Sequence, residues 1–185
     1  GIFDRHENTE EIFVGLKSGI RKTVKRNLKE YTKIAEHIGL FPVVMVAPSD
    51  QELIIGGGEV RRRFVDGIIC QFDAVYLDQL VRYNKILQQR NALLRQMKMS
   101  GNHDTGVLQI LDEQLSEAGH AIHATRMLFV ERFRPVFNDY YRFLSGDQEE
   151  ASMTYTSALS DTSMLELLRG SLQKDLALQY TSTGI

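Results

Sequence analysis

Phe41-Pro-Val-Val-Met-Val-Ala47 begins the stretch that decides the fold, and its apolar, β-branched residues predict a buried strand. Pro48 ends that strand because proline has no N–H to donate to a sheet. Three glycines at 56–58 then separate a brief helical turn from a long helical region, which begins at Glu59 and continues to Met99. A buried strand that leads into a long helix predicts a sheet-bearing part joined to a helical arm.

Two apolar seams with spacings of three and four residues predict the helices of this arm. The first seam contains Tyr76, Leu80, Tyr83, Leu87, Arg90, Leu94 and Met97. The second contains Leu108, Leu111, Leu115, Ala118, Ile122, Thr125 and Phe129, and continues through Phe133, Val136, Tyr140 and Phe143. Turn-forming residues at 100–106 separate the seams, so we expect an antiparallel helical hairpin. Pro135 is expected to kink or break its second helix near Arg134.

Further elements are expected on both sides of the arm. They are a β-hairpin over Glu11–Lys17 and Ile20–Arg26, a short helix over Thr32–Ile38, strands over Glu149–Leu159 and Ala177–Thr183, and a helix over Met164–Leu176. Ser18-Gly19 supplies the hairpin turn, and Asp161-Thr-Ser163 supplies a cap for the last helix. This order predicts an α+β (mixed α/β) fold in which a helical lobe interrupts a sheet.

Three segments of this chain resemble the RecF family of recombination mediators. They are Pro48-Ser-Asp50, Gly57-Gly-Glu-Val-Arg-Arg-Arg-Phe-Val-Asp66 and Arg82-Tyr-Asn-Lys-Ile-Leu-Gln-Gln-Arg-Asn-Ala-Leu-Leu94. Near the end of the chain, Gln179-Tyr-Thr-Ser-Thr-Gly184 resembles the start of a second motif of that family. RecF proteins are ABC ATPases related to the SMC chromosome proteins. The resemblance therefore implies part of an ABC-ATPase-head sheet with an inserted helical lobe built on a long antiparallel hairpin.

The resemblance also implies three parts of the chain. Residues 1–55 would belong to the nucleotide lobe, residues 56–147 would form helical lobe II, and residues 148–185 would return to the sheet lobe. No Gly-x-x-x-x-Gly-Lys-Ser/Thr loop, signature motif or apolar strand ending in Asp is present, and the chain does not begin with Met. We therefore expect a central fragment that does not hydrolyse ATP by itself, although the full-length family uses ATP and Mg²⁺.

The function that the resemblance implies is DNA replication, recombinational repair and the loading of a recombinase at gapped DNA. Expected partners are double-stranded DNA, single/double-strand junctions, the RecR and RecO mediators, the recombinase, and a second copy in an ATP-dependent homodimer of the full-length protein. The implied location is the nucleoid in the cytoplasm. The alternative is a stand-alone helical hairpin that binds a protein partner through exposed apolar residues. Two seams of similar length weigh against it, because such helices bury each other.

A basic segment lies in the predicted hairpin, although the whole chain has a net charge of only -2. Residues 17–33 contain seven lysines and arginines against Glu30 alone. One interpretation is a solvated sheet edge that its lysines protect from aggregation. The other is a surface that contacts DNA phosphates, and the family resemblance favours it. The candidate DNA-binding residues are Lys22, Lys25, Arg26 and Lys29.

Ser49 and Asp50 occupy a position that resembles the Q-loop of ABC ATPases, where a glutamine links the magnesium ion and the nucleotide to the helical lobe. Here the position reads Ser-Asp, and Gln51 lies slightly later. The other interpretation, which we favour, is that Asp50 caps the short helix that follows. Both residues are therefore candidate cofactor contacts with a structural alternative.

The lobe junction is expected at Arg61, Arg62, Arg63 and Asp66. Successive residues on a helix point about 100° apart, so the three arginines cannot all face one ligand. At least one is expected to pair with an acid at the junction, and Asp66 lies within one helical turn of Arg62 and Arg63. Phe64, Ile68 and Ile69 are expected to face the core.

The remaining reactive side chains predict no catalytic or metal site. Cys70 is the single cysteine and lies in an apolar run, which predicts a buried thiol and a reducing compartment. His120 and His123 share a helix face, but no cysteine or further histidine lies near them in sequence, so no metal site is expected. His103 in the turn is expected at the surface. No apolar run reaches the ~18 residues of a membrane span, and no membrane partner is expected.

Overall fold

A small antiparallel sheet precedes a set of packed helices in this computed structural model, which describes residues 2–5, 8–101 and 105–185. The strands are β1 (Ile2–Arg5), β2 (Asn8–Lys17), β3 (Ile20–Arg26) and β4 (Lys29–Glu30). The helices are α1 (Glu52–Ile55), α2 (Gly58–Ile69), α3 (Ala74–Ser100), α4 (Gly106–Ser145) and α5 (Met164–Leu178). The predicted α+β class is confirmed. Among the described residues, no helix has both the length and the apolar composition needed to span a membrane.

The sheet has the strand order β1-β2-β3-β4. The predicted hairpin of β2 and β3 is confirmed, with Val14 opposite Val24 and a turn at Gly19, whose positive φ of 74° suits glycine. Alternate residues of a strand lie on opposite faces. Ile12 and Val24 are buried on one face, whereas Phe13 is exposed on the other. The sheet therefore has one partly covered face and one open face.

The predicted antiparallel hairpin of α3 and α4 is confirmed by its cross-helix pairs. Arg82 pairs with Glu117, and Arg90 pairs with Asp112, so the two helices run in opposite directions. Both seams are buried where the helices face each other, and α5 packs on the pair. The core they share includes Tyr76, Tyr83, Ile86, Leu115, Ala118, Ile122, Met164 and Leu168. Gly101 ends α3 with a left-handed conformation, and the predicted turn residue His103 lies outside the described residues.

The last part of α4 departs from the prediction. Pro135 does not break the helix, which is continuous from Gly106 to Ser145. Val136, Tyr140 and Phe143 were expected in the seam but are exposed. Phe72, in the turn before α3, stacks on Phe129, so α3 does not extend beside the part of α4 that follows Phe129. Along one α4 face the rings of Phe129, Phe133, Phe137 and Tyr141 contact one another in a row, with the first pair stacked and the later pairs tilted.

Three predicted strands do not form. Residues 41–47 are irregular, and Val44 is 93% exposed. In residues 149–159 burial alternates as expected, with Tyr155 half-buried and Thr154 exposed, but no neighbouring strand lies alongside among the described residues. At 177–183, α5 continues to Leu178 and ends at Gln179 with φ 63°. The common reason is that a strand is stable only when a partner satisfies its backbone groups.

The segment between the sheet and the helices touches the loop after α2. The predicted helix over Thr32–Ile38 is only a 3-10 turn at Ile34–His37. Gly39 has φ 85°, and a Cβ there would lie 2.5 Å from the backbone oxygen of Gln71. The N–H of Val43 donates to the side chain of Gln71 at 3.3 Å. Only glycine permits this close approach, which holds the segment against the helical part.

Candidate functional site

Arg90 is the centre of a buried polar network between the helices. Its side chain is fully buried, and its Nε donates to Asp112 of α4 at 2.6 Å. Its Nη1 donates to Asp175 of α5 at 2.7 Å and to the hydroxyl of Thr181 at 2.8 Å. Burial raises the pKa of Asp112, and the neighbouring guanidinium opposes that increase. One cation thus holds two helices and the C-terminal segment against α3.

The C-terminal segment is fixed by further bonds to the same network. Asn91 accepts hydrogen bonds from the backbone N–H of Thr181 at 2.8 Å and from its hydroxyl at 2.7 Å. Asp175 accepts from the backbone N–H of Ser182 at 2.8 Å and from its hydroxyl at 2.7 Å. The segment then reaches α4, where a Cβ on Gly119 would lie 3.3 Å from Ile185. The network therefore fixes the path by which the chain leaves the helices.

Sequence reasoning did not identify this network, which we name the Arg90 hub: Arg90, Asn91, Asp112, Asp175, Thr181 and Ser182. Arg90 was expected only as a seam residue. A charged residue at an apolar seam position is the signal that could have identified the hub, because a buried charge needs a partner. The hub joins the stretch 82–94 to the stretch 179–184, the two segments on which much of the family resemblance rests.

A second buried network lies where α2 meets α4. Nε of Arg126 donates to Asp66 Oδ1 at 2.8 Å, and Nη2 donates to Asp66 Oδ2 at 2.8 Å. The hydroxyl of Tyr76 also donates to Asp66. Burial, together with this hydrogen bond, raises the pKa of Tyr76 far above its ordinary value. Asp66 does not pair with Arg62 or Arg63, because the better-buried Arg126 takes both of its carboxylate oxygens. The acid that pairs with one of the three arginines is Glu59, which binds Arg63.

The three arginines of α2 point in different directions, as expected from their spacing. Arg61 donates to the backbone oxygens of Leu53 at 3.2 Å and Gly56 at 2.8 Å. Arg63 is exposed and pairs with Glu59. Arg62 lies beside a groove between α2 and α4. The neighbouring Phe64 was expected in the core but is 49% exposed, whereas Ile69 is fully buried.

The predicted cap of α1 by Asp50 does not form, because the N-cap residue of α1 is Gln51, which makes no side-chain cap bond. Asp50 instead closes the turn that precedes α1. Its Oδ2 accepts a hydrogen bond from the backbone N–H of Ala47 at 2.8 Å, at the start of a 3-10 turn over Pro48–Gln51. Both Ser49 and Asp50 are exposed. One carboxylate oxygen of Asp50 is thus used by the backbone, and Ser49 has an accessible hydroxyl.

The basic residues of the sheet do not share one surface. Lys22 and Arg26 lie on the same face as Val24, and Lys25 lies on the opposite face. Arg26 makes a two-pronged ion pair with the buried Glu10, which raises the pKa of Arg26. Its charge is therefore already neutralised. Lys22 and Lys29 are exposed.

Metal-ligand chemistry has little support in the described part of the chain. No group of three or more His, Cys, Asp or Glu residues is arranged to hold an ion there. His120 contacts the backbone oxygen of Ser116 through Nδ1 at 2.8 Å, whereas His123 is buried and burial lowers its pKa. Cys70 is buried, as predicted, and burial raises the pKa of its thiol.

Comparison with known proteins finds RecF proteins among the relatives of this chain. The chain is 42% identical over 182 residues to the DNA replication and repair protein RecF of Flavobacterium johnsoniae, covering 98% of this chain and 51% of that protein. It is 44% identical over 185 residues to RecF of Parabacteroides distasonis, covering 100% of this chain and 50% of that protein. The chain spans about half the length of these curated relatives. No family model matches it.

The solved structures that resemble this chain include RecF proteins, as its sequence relatives do. The recombination mediator protein RecF-ATPrS of the RecFOR pathway matches with a TM-score of 0.84 and 28% identity, over 97% of this chain and 50% of that one. RecF-ATP of the same pathway matches with a TM-score of 0.83 and 28% identity, over 95% of this chain and 49% of that one. The fold described above is therefore similar to one half of these proteins.

Proposed function

Since the chain is RecF-like over almost its whole length and corresponds to about half of such a protein, we propose that it bridges the two lobes of a DNA-binding ATPase head. In this proposal residues 1–55 belong to the nucleotide lobe, residues 56–147 form the helical lobe, and residues 148–185 lead back to the sheet. The longer protein would bind ATP and Mg²⁺, dimerise on DNA, and act with RecO, RecR and a recombinase in replication and repair.

The observation that carries the proposal is the Arg90 hub. Arg90 and Thr181 are 91 residues apart in sequence, yet they share a buried hydrogen bond. The hub holds Thr181 and Ser182, in the part proposed to lead back to the sheet, against α3 and α5. A rigid connection of this kind between the two proposed parts supports a role in coupling the position of the helical lobe to the nucleotide lobe. Ser49 and Asp50, just before the helical lobe, are the proposed contact at its other connection.

The DNA surface in this proposal is formed by lysines of the sheet. Lys22 and Lys29 are exposed and Lys25 is half-buried on the other face, so the lysines lie on both faces of the sheet near its β4 edge. Each contact releases a counterion and adds ~0.9 to the salt dependence of duplex binding. Arg26 is omitted because Glu10 neutralises it.

Fluorescence anisotropy with duplex, single-stranded and gapped DNA at several salt concentrations tests this surface. Replacing Lys22, Lys25 and Lys29 with alanine should lower the slope of log affinity against log salt by up to ~3 for duplex DNA. The matched control replaces Lys85, Lys98 and Lys174, three exposed lysines of the helical part, with alanine. It changes the net charge equally and should leave the slope almost unchanged. Equal effects of the two triple variants would place the DNA contact elsewhere.

Nucleotide binding is tested by calorimetry with ATP and Mg²⁺. Because the chain lacks a phosphate-binding loop, the proposal expects weak binding by this chain and tight binding by the longer protein. Tight binding by the 185-residue chain would contradict an ATP site that needs residues outside it. A stand-alone helical hairpin is the less favoured function, because α3 and α4 bury each other's seams.

A further inference from the structure

Arg61 of α2 reaches back across the three glycines at 56–58, which we name the glycine link. Its Nη1 donates to the backbone oxygen of Leu53 in α1 at 3.2 Å and to that of Gly56 at 2.8 Å. The last carbonyl groups of a helix have no partner within it, and an arginine side chain can satisfy them. Arg61 therefore ties α1 to α2 in addition to the backbone that joins them.

Gly57 is a glycine that its own conformation does not require. Its φ of -74° and ψ of 175° are open to any residue, and a Cβ there would meet no atom within 4 Å. Gly56 differs, because a Cβ there would lie 2.4 Å from the backbone oxygen of Glu52. Glycine gives the backbone extra freedom. The link would therefore bend easily at Gly57 if no side chain bridged it, and Arg61 supplies the bridge.

The turn that contains Ser49 and Asp50 lies on one side of the link. This turn, over Pro48–Gln51, passes directly into α1. Asp50 is fixed to its own turn, because its Oδ2 accepts from the backbone N–H of Ala47 at 2.8 Å. Within the described residues, the hydrogen bonds that join residues 48–56 to α2 are those of Arg61. The position of the turn relative to the helices therefore depends on this one side chain.

On the other side of the link, α2 is fixed to the rest of the helices. Arg126 of α4 donates to both oxygens of Asp66, each at 2.8 Å, and Tyr76 of α3 donates to the same carboxylate. These bonds hold α2, α3 and α4 together without any contribution from Arg61. A change at Arg61 should therefore free the turn without loosening the helices.

We propose that Arg61 is a positioning residue, which closes the glycine link and so sets where Ser49 and Asp50 lie relative to the helical lobe. This inference rests on the proposed function, in which the Ser49–Asp50 turn contacts the nucleotide of the longer protein. Arg61 does not touch the nucleotide and acts through the turn. Removing it should slow ATP hydrolysis but preserve most of the nucleotide affinity, because a phosphate-binding loop supplies that affinity.

Hydrogen exchange in the 185-residue chain tests the link itself. Arg61→Met keeps the length of the side chain and removes its donors. The amides of Asp50 and Gly56, which are hydrogen-bonded within the turn and α1, should then exchange ~5–10-fold faster. Exchange in α3 and α4 should not change. Arg63→Met is the matched control, because Arg63 is exposed and pairs with Glu59, and it should leave these two amides unchanged. Equal exchange in Arg61→Met and the parent would overturn the proposal.

Gly57→Pro closes the link by other means. A φ of -74° lies within the range of proline, about -65 ± 15°, and Gly56 has the extended backbone that a residue before proline prefers. The N–H of Gly57 makes no backbone–backbone hydrogen bond in the described chain. Added to Arg61→Met, this change should return the exchange of Asp50 and Gly56 toward the parent rate, because the link has less freedom to regain. Failure of this rescue would overturn a role of Arg61 in closing the link.

ATP hydrolysis by the longer RecF-like protein tests the effect on the turn. Arg61→Met should lower kcat ~10-fold and change KM for ATP less than ~2-fold, whereas Arg63→Met should change neither. Asp50→Asn should also lower kcat. The double variant Arg61→Met/Asp50→Asn should be no slower than the slower single variant, because residues that act through one contact are not additive. Gly57→Pro should restore part of kcat to Arg61→Met.

These outcomes separate the inference from the proposed function. If Asp50→Asn left hydrolysis unchanged, the turn would not be a nucleotide contact, and both the proposed contact and the role of Arg61 would be overturned. If Asp50→Asn slowed hydrolysis but Arg61→Met did not, or if the two effects added, only the role of Arg61 would be overturned. A rise in KM for ATP without a fall in kcat would also contradict it, because Arg61 would then act on nucleotide binding.

Discussion

Arg90 and Arg126 are both buried, and each is bound by carboxylates from other elements. A buried charge is tolerated only when its partners are in place, so each arginine fixes the relative position of the helices it joins. Hydrogen bonds to two helices and to the C-terminal segment make Arg90 the more connected of the two. The ion pairs and hydrogen bonds of these two arginines therefore fix how the helices and the C-terminal segment pack together.

Arg90→Met tests the hub by keeping the apolar length of the side chain and removing its charge. It would leave Asp112 and Asp175 as uncompensated buried carboxylates, so we expect a loss of ~3–5 kcal/mol in the free energy of unfolding. Urea denaturation measures this loss. Arg82→Met is the control, because Arg82 forms an exposed pair with Glu117 and should cost ~1 kcal/mol or less. Equal losses for the two variants would show that the hub does not stabilise the fold.

Tyr76 gives the protein a stability that decreases at alkaline pH. Its pKa is raised from the ordinary value of 10.0, chiefly by burial and also by its hydrogen bond to Asp66. Above pH 10 the unfolded chain loses this proton while the folded chain keeps it, so the free energy of unfolding falls as pH rises. In Tyr76→Phe the fall should be less steep by up to ~1.4 kcal/mol per pH unit.

Urea denaturation between pH 8 and pH 11 measures both curves. Below pH 9 the free energies of unfolding of Tyr76→Phe and of the parent should differ by a constant amount, which reports the lost hydrogen bond. Tyr83, whose pKa is also raised by burial, is present in both proteins, so its contribution cancels. Parallel curves up to pH 11 would mean that Tyr76 ionises equally in the folded and unfolded chains.

At the scale of elements, α5 shows how local sequence and packing act together. Ser163 caps the helix by accepting from the N–H of Glu166, and Glu166 returns a bond to Ser163, as the predicted cap requires. Gly170 weakens the helix interior because glycine has more backbone freedom to lose on folding. A Cβ at Gly170 would meet no atom within 4 Å.

Gly170→Ala should therefore raise the free energy of unfolding by ~0.5–1 kcal/mol. Gly119→Ala, in α4, makes the same change at a crowded position, where the Cβ would lie 3.3 Å from Ile185 and 3.5 Å from Tyr83. The free energy of unfolding should therefore rise less in Gly119→Ala than in Gly170→Ala, or it should fall. Thermal denaturation compares the two. If both variants were stabilised equally, the C-terminal segment would not be packed against α4.

At the scale of the whole molecule, the sheet and the helical part make few contacts with each other. The strands contact chiefly one another, and α3, α4 and α5 contact one another. Leu115 is fully buried in the core of the helical set. Elements that share few contacts are expected to open independently.

Leu115→Ala tests this division by hydrogen exchange. The cavity should cost ~2–5 kcal/mol and speed exchange throughout α3, α4 and α5, while exchange in residues 8–30 stays unchanged. Leu128→Ala, at a 49% exposed position of α4, should leave hydrogen exchange unchanged in both the helices and the strands. Faster exchange in the strands of Leu115→Ala would show that sheet and helices unfold as one unit.

Local pattern in the sequence determined the hairpin of β2 and β3, the antiparallel pair of α3 and α4, the cap of α5 and the burial of Cys70. Each depends on residues close in sequence or on an apolar repeat. Tertiary structure alone decided the rest. Residues 41–47 and 149–159 have strand-forming residues but no strand beside them in the described part of the chain, and a strand's backbone groups need such a partner. The partners of Asp66 and Arg90 lie 60 and 91 residues away, where only the packing of helices brings them within reach.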